Sequence, residues 1–232
     1  MFTDIFLESI NILLKFDRDI YSIIYLSVFV SVTAILISSF ISLPIASILV
    51  TKDIYLKNIL IIIINSLMSV PPVVVGLVLY LLLSYRGVLG HLNLLYTSIA
   101  MIIAQIIITL PIIISLSRET LDRYYSVYKD YFISIKMNNV DILQTMIWET
   151  RHSLSINVLA GLGRALSEVG AIIIVGGNID NLTRVMTTSI VLETSRGEFA
   201  KAMSLGIALL VISIIISFLI FIFRYFNEKK YE

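Results

Sequence analysis

The sequence predicts an all-α integral membrane protein with about five transmembrane helices, an N-terminal amphipathic helix and a cytoplasmic helical loop. Two observations predict it. Of 232 residues, 58% are hydrophobic and only 14% charged, and mean hydropathy is +0.97, whereas soluble domains run at roughly 45–50% and 25%. The apolar residues also fall into five blocks, 22–50, 58–83, 96–117, 153–176 and 202–223. Each is long enough to cross roughly 30 Å of hydrocarbon at 1.5 Å per residue. At this length the chain is about one domain, with no room for a separate soluble catalytic domain.

Ahead of the first block, over residues 1–20, Phe2, Ile5, Phe6, Ile10, Leu13 and Leu14 recur at helical spacing. Asp4, Glu8, Asn11 and Lys15 lie between them, the pattern of a helix lying on the membrane surface. Asp4 and Glu8 precede any basic residue, unlike the positive start of a cleaved signal peptide.

Orientation follows from Lys and Arg in the connections, which accumulate on the cytoplasmic side. Connections 52–57 and 118–152 with the tail 224–232 collect ten basic residues: Lys52, Lys57, Arg118, Arg123, Lys129, Lys136, Arg151, Arg224, Lys229 and Lys230. The opposite side has six: Lys15, Arg18, Arg86, Arg184, Arg196 and Lys201. The N-terminus is therefore expected outside and the C-terminus in the cytoplasm of a multi-pass cell-membrane protein.

Connection 118–152 is long, charged and patterned as helix. Tyr124, Val127, Tyr128, Tyr131, Phe132 and Ile135 share one face, and Ile142, Leu143, Met146 and Ile147 follow a break at Asn138-Asn139. It is either a docking element for a cytoplasmic partner or a hairpin that covers the helix ends.

Within the blocks, prolines, glycines and charges mark special positions. All four prolines, Pro44, Pro71, Pro72 and Pro111, lie in or at the ends of apolar blocks. A proline removes a backbone donor and kinks a span, which is tolerated where neighbours or water satisfy the freed carbonyl. Pro71-Pro72 with Gly76 thus predicts a broken helix beside a pathway, or a packing kink. The fourth block holds Gly161, Gly163, Gly170, Gly176 and Gly177, and Ala160, Gly163, Ser167 and Gly170 form a small-residue face for close helix approach. It also carries Arg164 and Glu168 one turn apart. Each costs about 2.5–3.5 kcal/mol at mid-membrane, so both must face a partner or water, as a gate or as a structural pair. Arg before Glu is the weaker helical orientation, which favours partners on other helices. Beyond it, Gly176, Gly177, Asn178, Thr183, Arg184, Thr187 and Thr188 form a polar outer segment. Its amides, hydroxyls and guanidinium suit tetrahedral oxygens, and an ordinary outer loop is the other reading.

Several function classes are excluded. A net charge of +1 leaves no basic stripe for nucleic acid, and the absence of cysteine removes disulfides and thiolate metal sites. No G-x-x-x-x-G-K-[ST] cradle exists, so ATP would be used by another subunit and the chain needs no cofactor of its own. His91 and His152 lack metal-ligand spacing, and no nucleophile–base pair stands out. The chain is expected not to be an enzyme. An ATP-independent secondary transporter or channel remains the alternative, against which stands the absence of paired repeats. A membrane scaffold, the third reading, would require neither the cytoplasmic loop nor the buried charges.

From about Tyr21 to Phe226 the chain resembles permease subunits of type I ABC importers, MetI-like, closest to the tungstate branch of the molybdate, sulfate and tungstate group. The resemblance rests on Ala160-Gly-Leu-Gly-Arg-Ala-Leu-Ser-Glu-Val-Gly-Ala171, Ile174-Val-Gly-Gly-Asn178, Thr183-Arg-Val-Met-Thr-Thr188 and Leu192-Glu-Thr-Ser-Arg-Gly-Glu-Phe-Ala200. Ser42-Leu-Pro-Ile-Ala46 and Val70-Pro-Pro-Val-Val-Val-Gly76 are weaker matches. The family's cytoplasmic loop carries Glu-Ala-Ala, three residues, then Gly, and docks into the ATPase. Here that stretch reads Asp130-Tyr131-Phe-Ile-Ser-Ile-Lys136, followed by Asn138, Asn139 and Asp141; the acid persists, whereas the small residues and the glycine do not. The resemblance implies one transmembrane domain over 1–232, a homodimer with one pathway, a cytoplasmic ATPase dimer, an external oxyanion-binding protein and alternating access.

Overall fold

The structure, a computed structural model, describes residues 2–15, 17–52 and 55–228. Phe16, Asp53, Ile54, Lys229 and Lys230, used above for the first helix, the first connection and the basic count, lie outside the described residues. Every regular element among the described residues is helical: α1 (Phe2–Leu14), α2 (Arg18–Thr51), α3 (Lys57–Met68), α4 (Pro72–Leu83), α5 (Ser98–Ser134), α6 (Asn139–Glu149), α7 (Arg151–Leu166), α8 (Gly170–Gly176), α9 (Met186–Arg196) and α10 (Phe199–Glu228), with a single 3-10 turn at Gly90–Leu92.

Three helices, α2, α5 and α10, are each long and apolar enough to cross a membrane. The pairs α3–α4 and α7–α8 bring the number to five if each broken pair counts as one span. The second apolar block is broken where Pro71-Pro72 predicted it, and the fourth is broken as well, where one span was expected. Pro71 ends the second block's first helix by denying it a donor, and Pro72 then opens α4 at its first position, where a missing N–H costs nothing. Pro44 and Pro111 stay inside α2 and α5 without ending them.

The third block and the following connection are also joined differently from the expectation. α5 runs through Ser134 as one helix of 37 residues, about 55 Å at 1.5 Å per residue, far more than a bilayer needs. The polar segment after α8 likewise runs into a helix, α9.

The chain forms two compact units, one of Met1–Ala34, Pro71–Gln105 and Gly163–Ile216, the other of Ile35–Val70, Ile106–Leu162 and Ser217–Glu232. In the first, α4 packs on α8. A side chain at Gly76 would stand 2.7 Å from the Ala171 backbone, so only glycine permits that approach. Met101, Ile172, Val175, Met186 and Leu205 fill its interior. The second has one apolar core of Ala46, Leu49, Val50, Ile114, Leu121, Phe132, Ile142, Met146 and Leu154.

Of the predicted cytoplasmic face, Phe132, Ile142 and Met146 are buried there, whereas Val127, Tyr128, Tyr131 and Ile135 are exposed. Large apolar side chains also stay uncovered along α10, α4 and α3, among them Phe218, Leu77 and Ile62. That is the distribution of a chain whose solvent is hydrocarbon.

Candidate functional site

The break between α7 and α8, at Ser167–Val169, interrupts the helical hydrogen-bond ladder in a segment that cannot leave polar groups bare. Several of the freed groups find side chains. The Arg164 carbonyl accepts from Ser167 Oγ at 3.0 Å, and the Ala165 carbonyl from the Glu168 amide at 3.2 Å and from Gln105 Nε2 at 3.0 Å. The Glu168 carbonyl accepts from Thr187 Oγ1 at 2.9 Å. On the far side, the Ala171 amide donates to Glu168 Oε1 at 3.3 Å.

These groups converge from four chain segments. Gln105 Nε2 on α5 also donates to Ser31 Oγ on α2 at 3.2 Å. One turn before Ser31, Ser27 Oγ accepts the first amide of α9, Met186, at 2.7 Å. Ser27, Ser31, Gln105, Ala165, Leu166, Glu168 and Thr187, with Val30 and Val185, surround a cavity of about 10 Å³, room for the centre of one water molecule.

Arg164 and Glu168 do pair, although weakly: Nη2 lies 3.6 Å from Oε2. Their environments differ sharply, with the Glu168 side chain 5% exposed and that of Arg164 43%. The acid is committed to the break, and the accessible charge is the cation. Beside Arg164 the exposed strip of α7 and the break is small or polar, Ala160 and Ser167, and nothing stands within 4 Å of where a side chain on Gly163 would lie.

The predicted proline and glycine residues join the same neighbourhood. The start of α4, just after Pro71 and Pro72, meets the start of α8 through Val73 and Gly170, and Gly76, three residues farther along α4, packs on Ala171. The segment after α8 folds on itself. Gly177 turns the chain at φ +72°, where a side chain would strike the Tyr96 ring, and Asn178 and Asn181 are also left-handed. Thr183 Oγ1 donates to the Gly176 carbonyl, and Thr188 Oγ1 to Asn178 Oδ1 at 2.9 Å. Thr183, Thr187 and Thr188 are thus buried and occupied by the chain itself. Arg184 pairs with Asp180 at 2.8 Å and lines a separate polar cleft of about 230 Å³ with Asp17, Asp19, Ser189, Glu193, Arg196 and Lys201.

The second unit holds the remaining predicted residues. Asp130 and Tyr131 are exposed on the last turns of α5, and Lys136, Asn138, Asn139 and Asp141 form the turn into α6 and its first turn. Asn138 caps α6, accepting the Asp141 amide at 2.9 Å while its own Nδ2 donates to Asp141 Oδ2 at 2.6 Å. Lys136, the counterpart of the family's glycine, holds φ +52°. No cluster of His, Asp and Glu that could hold a metal occurs among the described residues.

Comparison with known proteins gives this geometry its context. No protein-family model matches the chain. It is 40% identical over 216 residues to the tungstate uptake system permease protein TupB of Peptoclostridium acidaminophilum, covering 93% of this chain and 95% of that one. The chain belongs to the ABC transporter permeases. A second TupB, from Campylobacter jejuni, is 40% identical over 71% of this chain and 69% of its own length. A probable anion ABC transporter permease of Haloferax volcanii is 36% identical over 82% and 84%. Such permeases are multi-pass membrane proteins and not themselves enzymes.

Sequence reasoning had not singled out two groups of this permease's site, Ser27 with Ser31 and Gln105, and it named Thr187 and Thr188 without the helix α9 that carries them. Signals existed. Ser27, Ser31, Ser38 and Ser42 recur on one stripe of α2, and Gln105 is an amide within the apolar run Ile102–Ile108.

Proposed function

We propose that this permease imports tungstate or a similar tetrahedral oxyanion, driven by ATP hydrolysed in a partner ATPase. The observation that carries the substrate class is the asymmetry of the Arg164–Glu168 pair. With Glu168 5% exposed and Arg164 43%, the discontinuity in the fourth span presents a positive group beside an open, small-residue strip. A charge in a span faces water or a partner rather than lipid. A guanidinium there suits an anion, and relatives at 36–40% identity are named for tungstate and anion transport.

The working unit is a homodimer around one pathway, with the N-terminus outside, the C-terminus in the cytoplasm, and α1 on the outer membrane surface. An external binding protein delivers the oxyanion, and the ATPase dimer docks on the turn between α5 and α6. ATP-driven closure of the ATPases moves that turn, the transmembrane helices follow, and the pathway opens outward by alternating access. Coupling is needed because a dianion entering a cell negative inside climbs about twice 2.3 kcal/mol per 100 mV.

The test is to purify the permease in mild detergent with its ATPase and binding protein. ATPase activity is then measured with tungstate, molybdate and sulfate. Stimulation by an oxyanion is the expected result; failure of any ATPase to co-purify with the intact chain overturns the reading.

A further inference from the structure

The break at Ser167–Val169 depends on a residue outside the fourth span. Gln105 lies in the third turn of α5, is 4% exposed, and sits where an apolar side chain would satisfy packing alone. Instead its amide nitrogen makes two bonds, to Ser31 Oγ at 3.2 Å and to the Ala165 carbonyl at 3.0 Å. Ala165 is the last but one residue of α7, and its carbonyl is one of those the break deprives of a helical amide. Its other donor, the Glu168 amide at 3.2 Å, closes a tight i+3 turn, and Glu168 is the residue whose side chain and carbonyl then organise Ala171 and Thr187.

We infer that Gln105 is a positioning residue for transport: by holding the Ala165 carbonyl against α2 and α5 it fixes the end of α7, and through it the places of Arg164 and Glu168. This rests on the importer reading for its transport arm alone. A buried polar residue in a span is costly unless satisfied, and a donor supplied from another helix keeps an interrupted span viable in lipid. Without the amide, the end of α7 is free to rewind or fray, and Glu168 loses the turn that aims it at α8.

The experiment compares wild type, Gln105→Leu, which removes the donor at similar volume, and Gln105→His, which keeps a ring N–H of similar reach. The complex is assembled with its ATPase and binding protein. Amide hydrogen exchange over 163–171 is measured alongside oxyanion uptake. Gln105→Leu is expected to raise exchange in that segment and to lower maximal uptake by about tenfold, the scale of one lost buried donor, with KM for the loaded binding protein within about twofold. Gln105→His is expected to restore both. Wild-type exchange and uptake in Gln105→Leu would overturn the inference, and so would equal defects in the Leu and His variants.

If Gln105→Leu does not assemble, Ser31→Ala removes the amide's other anchor. Raised exchange over 163–171 then supports the inference, and unchanged exchange overturns it. Exchange is read on the permease whether or not an ATPase binds, so failure of the importer reading leaves this result standing on its own.

Discussion

The unit built on Pro71–Gln105 and Gly163–Ile216 and the unit built on Ile106–Leu162 meet one constraint, keeping backbone polar groups satisfied in lipid, by opposite means. The first interrupts its helices and repairs the breaks with Ser167, Gln105, Thr187 and Glu168. The second takes α5 from Ile106 onward without a break, and is held by an apolar core from Ala46 to Leu154. Side-chain hydrogen bonds are local, individually modest and exchangeable for water or other donors; a packed core resists deformation. On the importer reading proposed above, the first unit would be the one that rearranges and the second the stiff one. Substitutions can break this contrast from either side.

The largest effect is expected at Glu168. Glu168→Ala removes the acceptor of the Ala171 amide and leaves Arg164 without its acid. Uptake should fall by about 100-fold, the scale of a lost site-positioning contact, while the permease and ATPase still co-purify. Normal uptake would remove Glu168 from the mechanism. Next is Gly76→Val, which forces a branched side chain against the Ala171 backbone, 2.7 Å from an added Cβ. Overpacking of this kind costs about 1–3 kcal/mol. A drop in the thermal midpoint of the detergent-purified protein should report it, and an unchanged midpoint would show that α4 and α8 can separate freely.

In the stiff unit, Trp148 is 65% exposed with Arg151 stacked 4.5 Å over its ring. An exposed tryptophan on the helix proposed to meet the ATPase is the kind of side chain that anchors an interface. Trp148→Ala should weaken ATPase binding by about tenfold, roughly 1.4 kcal/mol, and Asp130→Ala by less, since an exposed charge contributes about 1 kcal/mol or below. Equilibrium binding of the isolated ATPase measures both. Undiminished affinity in each would move the docking surface off α6 and the end of α5.

How far each unit was legible differs for the same physical reason. Hydropathy located the apolar blocks because burial in lipid requires a length and a composition, and Pro71-Pro72 announced one break because proline denies a donor. The break after Leu166 has no proline. It is maintained by residues 60 or more positions away, such as Gln105, and by Thr187, and single-segment patterns do not carry such long-range pairs. Arg164 and Glu168 were legible as costly charges, yet which of them is accessible is a property of burial alone. α9 was hidden because its helix begins among buried threonines, residues that read as loop.

The smallest effect on stability is expected for Lys136→Gly. The family pattern expects glycine at this position, where this chain has lysine. Lys136 holds φ +52°, the left-handed conformation that glycine adopts freely and that costs an L-residue about 1–2 kcal/mol. The turn is held by the Asn138 cap on α6 and by Phe132 in the core before it. Lys136→Gly relieves the strain but gives the unfolded chain more freedom, so the net gain should be at most about 1 kcal/mol. If the turn transmits ATPase motion as a stiff element, this substitution leaves ATPase affinity unchanged and shifts only the ratio of uptake to ATP hydrolysed. Lys136→Pro, which cannot adopt positive φ, should abolish that coupling. Equal coupling in wild type, Lys136→Gly and Lys136→Pro would mean that force reaches the spans by another route than the α5–α6 turn.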